Sequence, residues 1–115
     1  MARRIIPFSD YKSVPPTTPE VSFKKFYTYW AGEIVLIAIR TEGWAGEALQ
    51  LRVDITSISG SSTISFPFST EVITIDPAPM LLDVDDIVEF SINRVAGGNL
   101  VANDFGIQYL VEYNQ

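Results

Sequence analysis

Two residue types are missing from this 115-residue chain: it has no cysteine and no histidine. Without cysteine there are no disulfides, thiolate nucleophiles or thiolate zinc sites, so the fold holds without covalent staples in any redox compartment. Without histidine there is no Ser-His-Asp triad, no imidazole general base and no imidazole metal ligand. Long apolar runs are missing too. The longest, "IVLIAI" at 34–39, falls far short of the roughly 20 residues of a membrane helix, so a soluble protein with no membrane partner is expected. The opening "MARRIIPFSDY" is basic, but its apolar stretch stops at Pro7, so it does not read as a secretion signal.

Cations are scarce: 8 against 14 carboxylates, a net charge of −6. Residues 1–30 carry Arg3, Arg4, Lys12, Lys24 and Lys25 against Asp10 and Glu20, whereas the remainder has Arg40, Arg52 and Arg94 against twelve carboxylates. A basic leader thus precedes an acidic body. Three arginines spread over such a body make poor phosphate clamps, which argues against nucleic acid as a ligand.

What the chain has is apolar content, 47% of residues. That suffices for one domain with a real core, and the excess suggests a partner or further copies of the chain covering part of the surface. Residues 1–20 read as an extended arm and 21–115 as the domain. "VPPTTPE" at 14–20 places three prolines in seven residues, which disfavours a helix or a central strand. Ile5, Ile6, Phe8 and Tyr11 are apolar residues that a solvated tail has no reason to keep. They are expected to dock on a partner or on the chain's own body.

Beyond Ser22 the pattern is β. "EIVLIAIRT" at 33–41 is apolar on both faces, as a strand in the middle of a sandwich is. "ALQLRVDIT" at 48–56 alternates, Leu49, Leu51, Val53 and Ile55 inward against Gln50, Arg52, Asp54 and Thr56. "TISFPF" has Pro67, which cannot donate to a ladder and marks an edge or a bulge. "TEVITID", "DIVEFSINR" and "FGIQYLVEY" follow, and "DPAPMLLD" at 76–83 reads as a stiff connection crossing between sheets. Short strands at spacings of about ten residues predict an all-β fold, an antiparallel β-sandwich or jelly roll of seven strands, eight with the arm.

Candidate chemistry is thin. The cluster Asp83, Asp85, Asp86 and Glu89 has hard oxygen ligands but not the EF-hand spacing, and reads as a solvated acidic turn. Carboxylate pairs for glycoside hydrolysis arise by chance among 14 acids, and so small a body has little room for a cleft. No enzyme activity, cofactor or metal is expected. Trp44, in the glycine-bracketed turn "TEGWAGE", is either a subunit contact, a sugar-stacking platform, or an indole folded back over one end of the sandwich. Trp30 and Phe26, in an aromatic strand with two lysines, read as core rather than as a nucleic-acid platform. In "NRVAGGNLVAND" at 93–104, Gly97-Gly98-Asn99 suits a reversing loop, with Arg94 and Asp104 expected to face each other at its base.

The last segment, "DVDDIVEFSINRVAGGNLVANDFGIQYLVEYNQ", resembles the closing hairpin of small jelly-roll virion proteins of tailed bacteriophages. The shared features are an acidic pair, a strand ending in arginine, a short Gly/Asn/Asp loop and a last strand ending in tyrosine. The resemblance implies a head decoration, or cement, protein on the outer surface of the capsid: a non-enzymatic trimer bound to the major capsid protein. It assigns Arg3, Arg4, Ile5, Ile6, Phe8 and Tyr11 to arm contacts and Trp44 to a subunit or shell contact. The alternative is a receptor- or carbohydrate-binding sandwich of a tail fibre or collar.

Overall fold

The computed structural model describes residues 3–77 and 80–114. They form ten strands: β1 (Arg3–Ser13), β2 (Glu20–Ser22), β3 (Phe26–Tyr27), β4 (Gly32–Glu42), β5 (Leu49–Ser57), β6 (Gly60–Phe68), β7 (Val72–Ile75), β8 (Met80–Leu82), β9 (Ile87–Arg94) and β10 (Asp104–Asn114). Two antiparallel sheets face each other. Sheet A has the order β1-β10-β4-β7, with β8 also on β4. Sheet B has the order β2-β9-β5-β6, with β3 also on β9.

The alternation in β5 and β10 places Leu49, Leu51, Val53 and Ile55 of one sheet and Phe105, Ile107, Tyr109, Val111 and Tyr113 of the other in a common core, because successive side chains of a strand leave opposite faces. β4 is less regular. Its register against β10 slips between Leu110 and Val111, which oppose Leu36 and Ile34, so Val35 is an extra residue. The bulge switches the phase: Ile34 points inward, and after it Ile37 and Ile39 do. An apolar run on both faces thus results from a change of phase in a strand that has one core face. Gly32 begins this strand because a Cβ there would stand 2.3 Å from the Glu112 carbonyl oxygen, a distance no side chain tolerates.

The expected arm differs from what is observed. From Arg3 to Ser13 the chain pairs residue for residue with β10 as an edge strand of sheet A. Met1 and Ala2 lie outside the described residues. Ile6 and Phe8 pack against the core, and Phe8 stacks on Tyr109 of β10 (5.2 Å between centroids) and on Phe26 of β3 (5.5 Å). With Phe90 4.5 Å from Tyr109, these rings join both sheets across the sandwich. Of the expected arm only 14–19 is a loop, where the prolines are.

The final loop also departs from expectation. β9 belongs to sheet B and β10 to sheet A, so residues 95–103 cross between layers and close no hairpin. Gly97 and Gly98 do hold positive φ, 81° and 85°, but local turn chemistry is the same in a crossing as in a hairpin. "DPAPMLLD" behaves the opposite way: β7 before it and β8 within it both pair with β4, and its Ala78 and Pro79 lie outside the described residues. The crossing back to sheet B comes later, at 83–86.

The sheet edges are blunted. The two long edge strands carry Pro7 and Pro67, and the remaining edges are the short pieces β2 with β3 and β7 with β8. Proline and interruption both discourage strand addition by another chain.

Replacing Phe8 by alanine is expected to cost about 2–3 kcal/mol, since the ring is half-buried at a joint between layers; urea unfolding measures it. Burial, with smaller contributions from Asp10 and Tyr113, pushes the Tyr109 phenol from 10.0 up to about 12. The folded state therefore holds that proton more tightly than the unfolded chain does. Stability from this source is intact below pH 10 and falls, by up to about 1.4 kcal/mol per pH unit, as pH rises towards 12. Tyr109→Phe should flatten this part of the alkaline limb in pH-resolved melts.

Candidate interaction surfaces

Four crossings between the sheets meet at one end of the sandwich, and the buried carboxylate of Glu47 ties two of them together, its own at 43–48 and that at 95–103. It accepts the Val101 amide at 3.0 Å and the Ala102 amide at 2.9 Å. The Arg94 guanidinium lies 3.7 Å away. Arg94 therefore faces Glu47 rather than Asp104, whose carboxylate accepts the Ser13 hydroxyl at 2.5 Å. Trp44 belongs to this same end. Its indole N–H donates to the Glu47 carbonyl at 2.9 Å, and the half-buried ring packs against the core, as an indole folded back over the sandwich does. Gly43 and Gly46 on either side hold φ of 78° and 83°, the left-handed region that favours glycine.

At the opposite end the organising group is Thr28, fully buried. Its hydroxyl reaches the Asp83 carbonyl and accepts the Asp86 amide at 2.9 Å, while its own amide donates to the Asp86 carbonyl at 3.0 Å. Asp86 is itself buried, with Oδ2 accepting the Asp83 amide at 2.8 Å. The acidic cluster is thus a hydrogen-bonded turn in which Asp85 takes a φ of 67°. No group of three or more metal-ligating side chains occurs among the described residues.

The loop that Thr28 pins displays two aromatics, of which Trp30 was expected in the core. Tyr29 is 75% exposed and Trp30 44%, with Trp30 edge-on to Tyr29 at 6.3 Å and to Tyr113 at 5.8 Å. Phe26 does pack on the core. The exposed pair was missed because aromatic content marks a strand and carries no information about which residues fall in the loop after it.

The outer faces of the two sheets contrast. On sheet B it is polar and cross-linked: Arg52 contacts Glu20 at 2.6 Å and Asp54 at 3.4 Å, Thr63 donates to Asp54 at 2.6 Å, and Gln50 to Asn93 at 3.3 Å. On sheet A a row of Pro7, Leu110 and Leu36 crosses three strands in register. Ile5, Tyr11, Val72 and Leu81 around it are well exposed. Beside them a shallow basin of about 720 Å³ is lined by Tyr11, Gly106, Arg40, Val72 and Gln108.

Of the residues expected to make contacts, Ile5 and Tyr11 therefore point outward from sheet A. Arg4 is exposed opposite Tyr113, and Arg3 stands opposite Asn114. Ile6, Phe8 and Trp44 turn towards the protein's own core.

Glu47→Ala is expected to strip both amides of their acceptor and lower stability by about 3 kcal/mol, with Glu47→Gln intermediate because it keeps one acceptor oxygen. Denaturant titration of the three proteins gives the order.

Neither a protein-family model nor a curated protein matches the sequence. Solved structures do. The globular domain of a zebrafish complement 1qA protein superposes with a TM-score of 0.53 at 18% identity, over 91% of this chain and 94% of that one. The crystal structure of FLHE gives 0.49 at 19% identity over the whole of both chains. Desmodium yellow mottle tymovirus gives 0.38 at 7% identity over 98% of this chain and 88% of that one. At such identities the likeness is one of fold alone: this is a small all-β domain of two antiparallel sheets, distantly similar to jelly-roll-like folds.

Proposed function

We propose that the chain is a non-enzymatic structural protein of a phage virion, a jelly-roll decoration protein on the outer surface of the head. It binds the major capsid protein through the outer face of sheet A and associates with copies of itself. The observation that carries this reading is the contrast between the outer faces. Sheet B carries polar side chains, several of them bonded to one another, whereas sheet A presents apolar side chains in register across β1, β10 and β4, which small monomeric proteins rarely leave uncovered.

The jelly-roll assignment is supported by strand order. Taking β2 with β3 along β9, and β7 with β8 along β4, gives eight positions, four to a sheet, with successive positions mostly in opposite sheets. The virion assignment is supported by the resemblance of residues 83–115. In this reading Ile5 and Tyr11 contact the shell from a strand rather than from a free arm, and Arg3 and Arg4 add charge at its start. The carbohydrate-binding alternative moves from Trp44, whose ring is packed, to the displayed Tyr29 and Trp30.

The test is the copy number of this chain in purified particles, by quantitative mass spectrometry, followed by rebinding of Ile5→Asp and Tyr11→Asp variants to stripped heads. Hundreds of copies per particle, with at least tenfold weaker rebinding by the variants, is the expected result. A few copies per particle points to a tail component, and a glycan ligand lost in Trp30→Ala would replace the decoration reading altogether.

A further inference from the structure

The charges of this chain are separated along one axis of the sandwich. β1 and the segment joining β2 to β3 line the same edge, tied together by the Lys24 amide donating to Asp10 Oδ2 at 3.0 Å. That edge carries Lys12, Lys24 and Lys25, all exposed, and none makes an ion pair among the described residues. Of the carboxylates there, Asp10 is occupied by backbone amides of Lys24 and Tyr11, and Glu20 of β2 is paired with Arg52.

The opposite edge is built from β6 of sheet B and β7 and β8 of sheet A, brought together where Leu81 and Asp83 meet the turn at 57–62. From Val53 to Asn93 the sequence contains no lysine or arginine and seven carboxylates. Glu71, Asp76, Asp83 and Asp85 lie exposed beside this edge, again without an ion pair among the described residues. Apolar side chains accompany both charge sets: Tyr27 on the basic side, Ile58 and Val84 on the acidic side, all more than half exposed.

We infer that copies of this chain associate side by side, the basic edge of one against the acidic edge of the next. The two edges lie on opposite sides of a body measuring 46 × 25 × 22 Å, so a single neighbour cannot engage both. The contact is therefore heterologous, and it leaves each paired copy with a second edge for a further neighbour. Blunted edge strands direct it through side chains rather than through a continued sheet. Opposite potentials on the two edges favour this docking and penalise like edges meeting. The inference concerns contacts between copies and is independent of the virion reading: heads left unoccupied by an intact assembly would count against that reading only.

Sedimentation velocity on the full chain, at low and at molar salt, tests it with two charge-reversed proteins. One carries Lys24→Glu with Lys25→Glu, the other Glu71→Lys with Asp76→Lys. All four positions are exposed, and unchanged melting curves verify folding. The wild type is expected to sediment as species of three or more copies that fall to a single chain as salt screens the edges. Each reversed protein alone should be a single chain, and an equimolar mixture of the two should recover assembly. A single-chain or two-copy wild type at low salt would overturn the inference, as would reversed proteins that assemble unaided or a mixture that stays dissociated.

Discussion

Strands that are neighbours in this sequence mostly lie in opposite sheets, so the chain must cross from layer to layer, and each crossing brings backbone amides and carbonyls beside an apolar core. Leaving such groups unpaired costs far more than a typical hydrogen bond contributes. The crossings meet that constraint by gathering at the ends of the sandwich and bonding to one another. The Val14 amide donates to the Asn103 carbonyl, that of Asn103 to Glu42, that of Leu100 to Thr18 and that of Val95 to Ala48. Further amides are taken up by buried polar side chains, Glu47 at one end and Thr28 with Asp86 at the other. Each is a residue with no place in an apolar core except as an acceptor for amides that the topology strands there.

Much of this was legible wherever a strand keeps a constant phase. Leu49 to Ile55 and Phe105 to Tyr113 alternate without interruption, so their inward faces follow from the pattern alone, and Pro67 marks an edge because it lacks a donor. Legibility stops where a non-local partner decides. The bulge at Val35 is invisible in "EIVLIAIRT", since either phase of that run is apolar. The glycines of 95–103 suit any reversing loop, and only the pairing of β9 with β5 and of β10 with β4 makes it a crossing. β1 was obscured for a different reason. Its alternation of Ile6 and Phe8 inward is masked by Ile5 and Pro7 outward, apolar residues on the face that a solvated sandwich strand gives to polar ones. Glu47 and Thr28 carry no motif at all, and their roles exist only once the loops around them are closed.

The mixture of apolar residues on both faces of β1 and β4 is itself informative. Sheet B achieves a conventional outer surface with Arg52, Glu20, Asp54 and Thr63 bonded in a network, and its strands read cleanly for that reason. Sheet A spends its outward positions on Ile5, Leu36, Leu110 and Val72, which contribute nothing to the protein's own core. The positions that blurred the sequence pattern are thus the ones free to serve an external contact, and the same chemistry makes β1 hard to read and sheet A fit to be covered.

Face and edge differ in what they can specify. An apolar sheet face attracts through burial alone, which is non-directional and tolerates many orientations of the covering surface. Opposed charges on two edges are directional, because reversing or rotating a neighbour brings like charges together. With Pro7, Pro67 and the interrupted outer strands removing the backbone as a means of association, orientation is left to side-chain charge. On the proposed reading a small domain built this way separates two tasks: adhesion lies on the broad face, and the order of neighbouring copies is set at the rims.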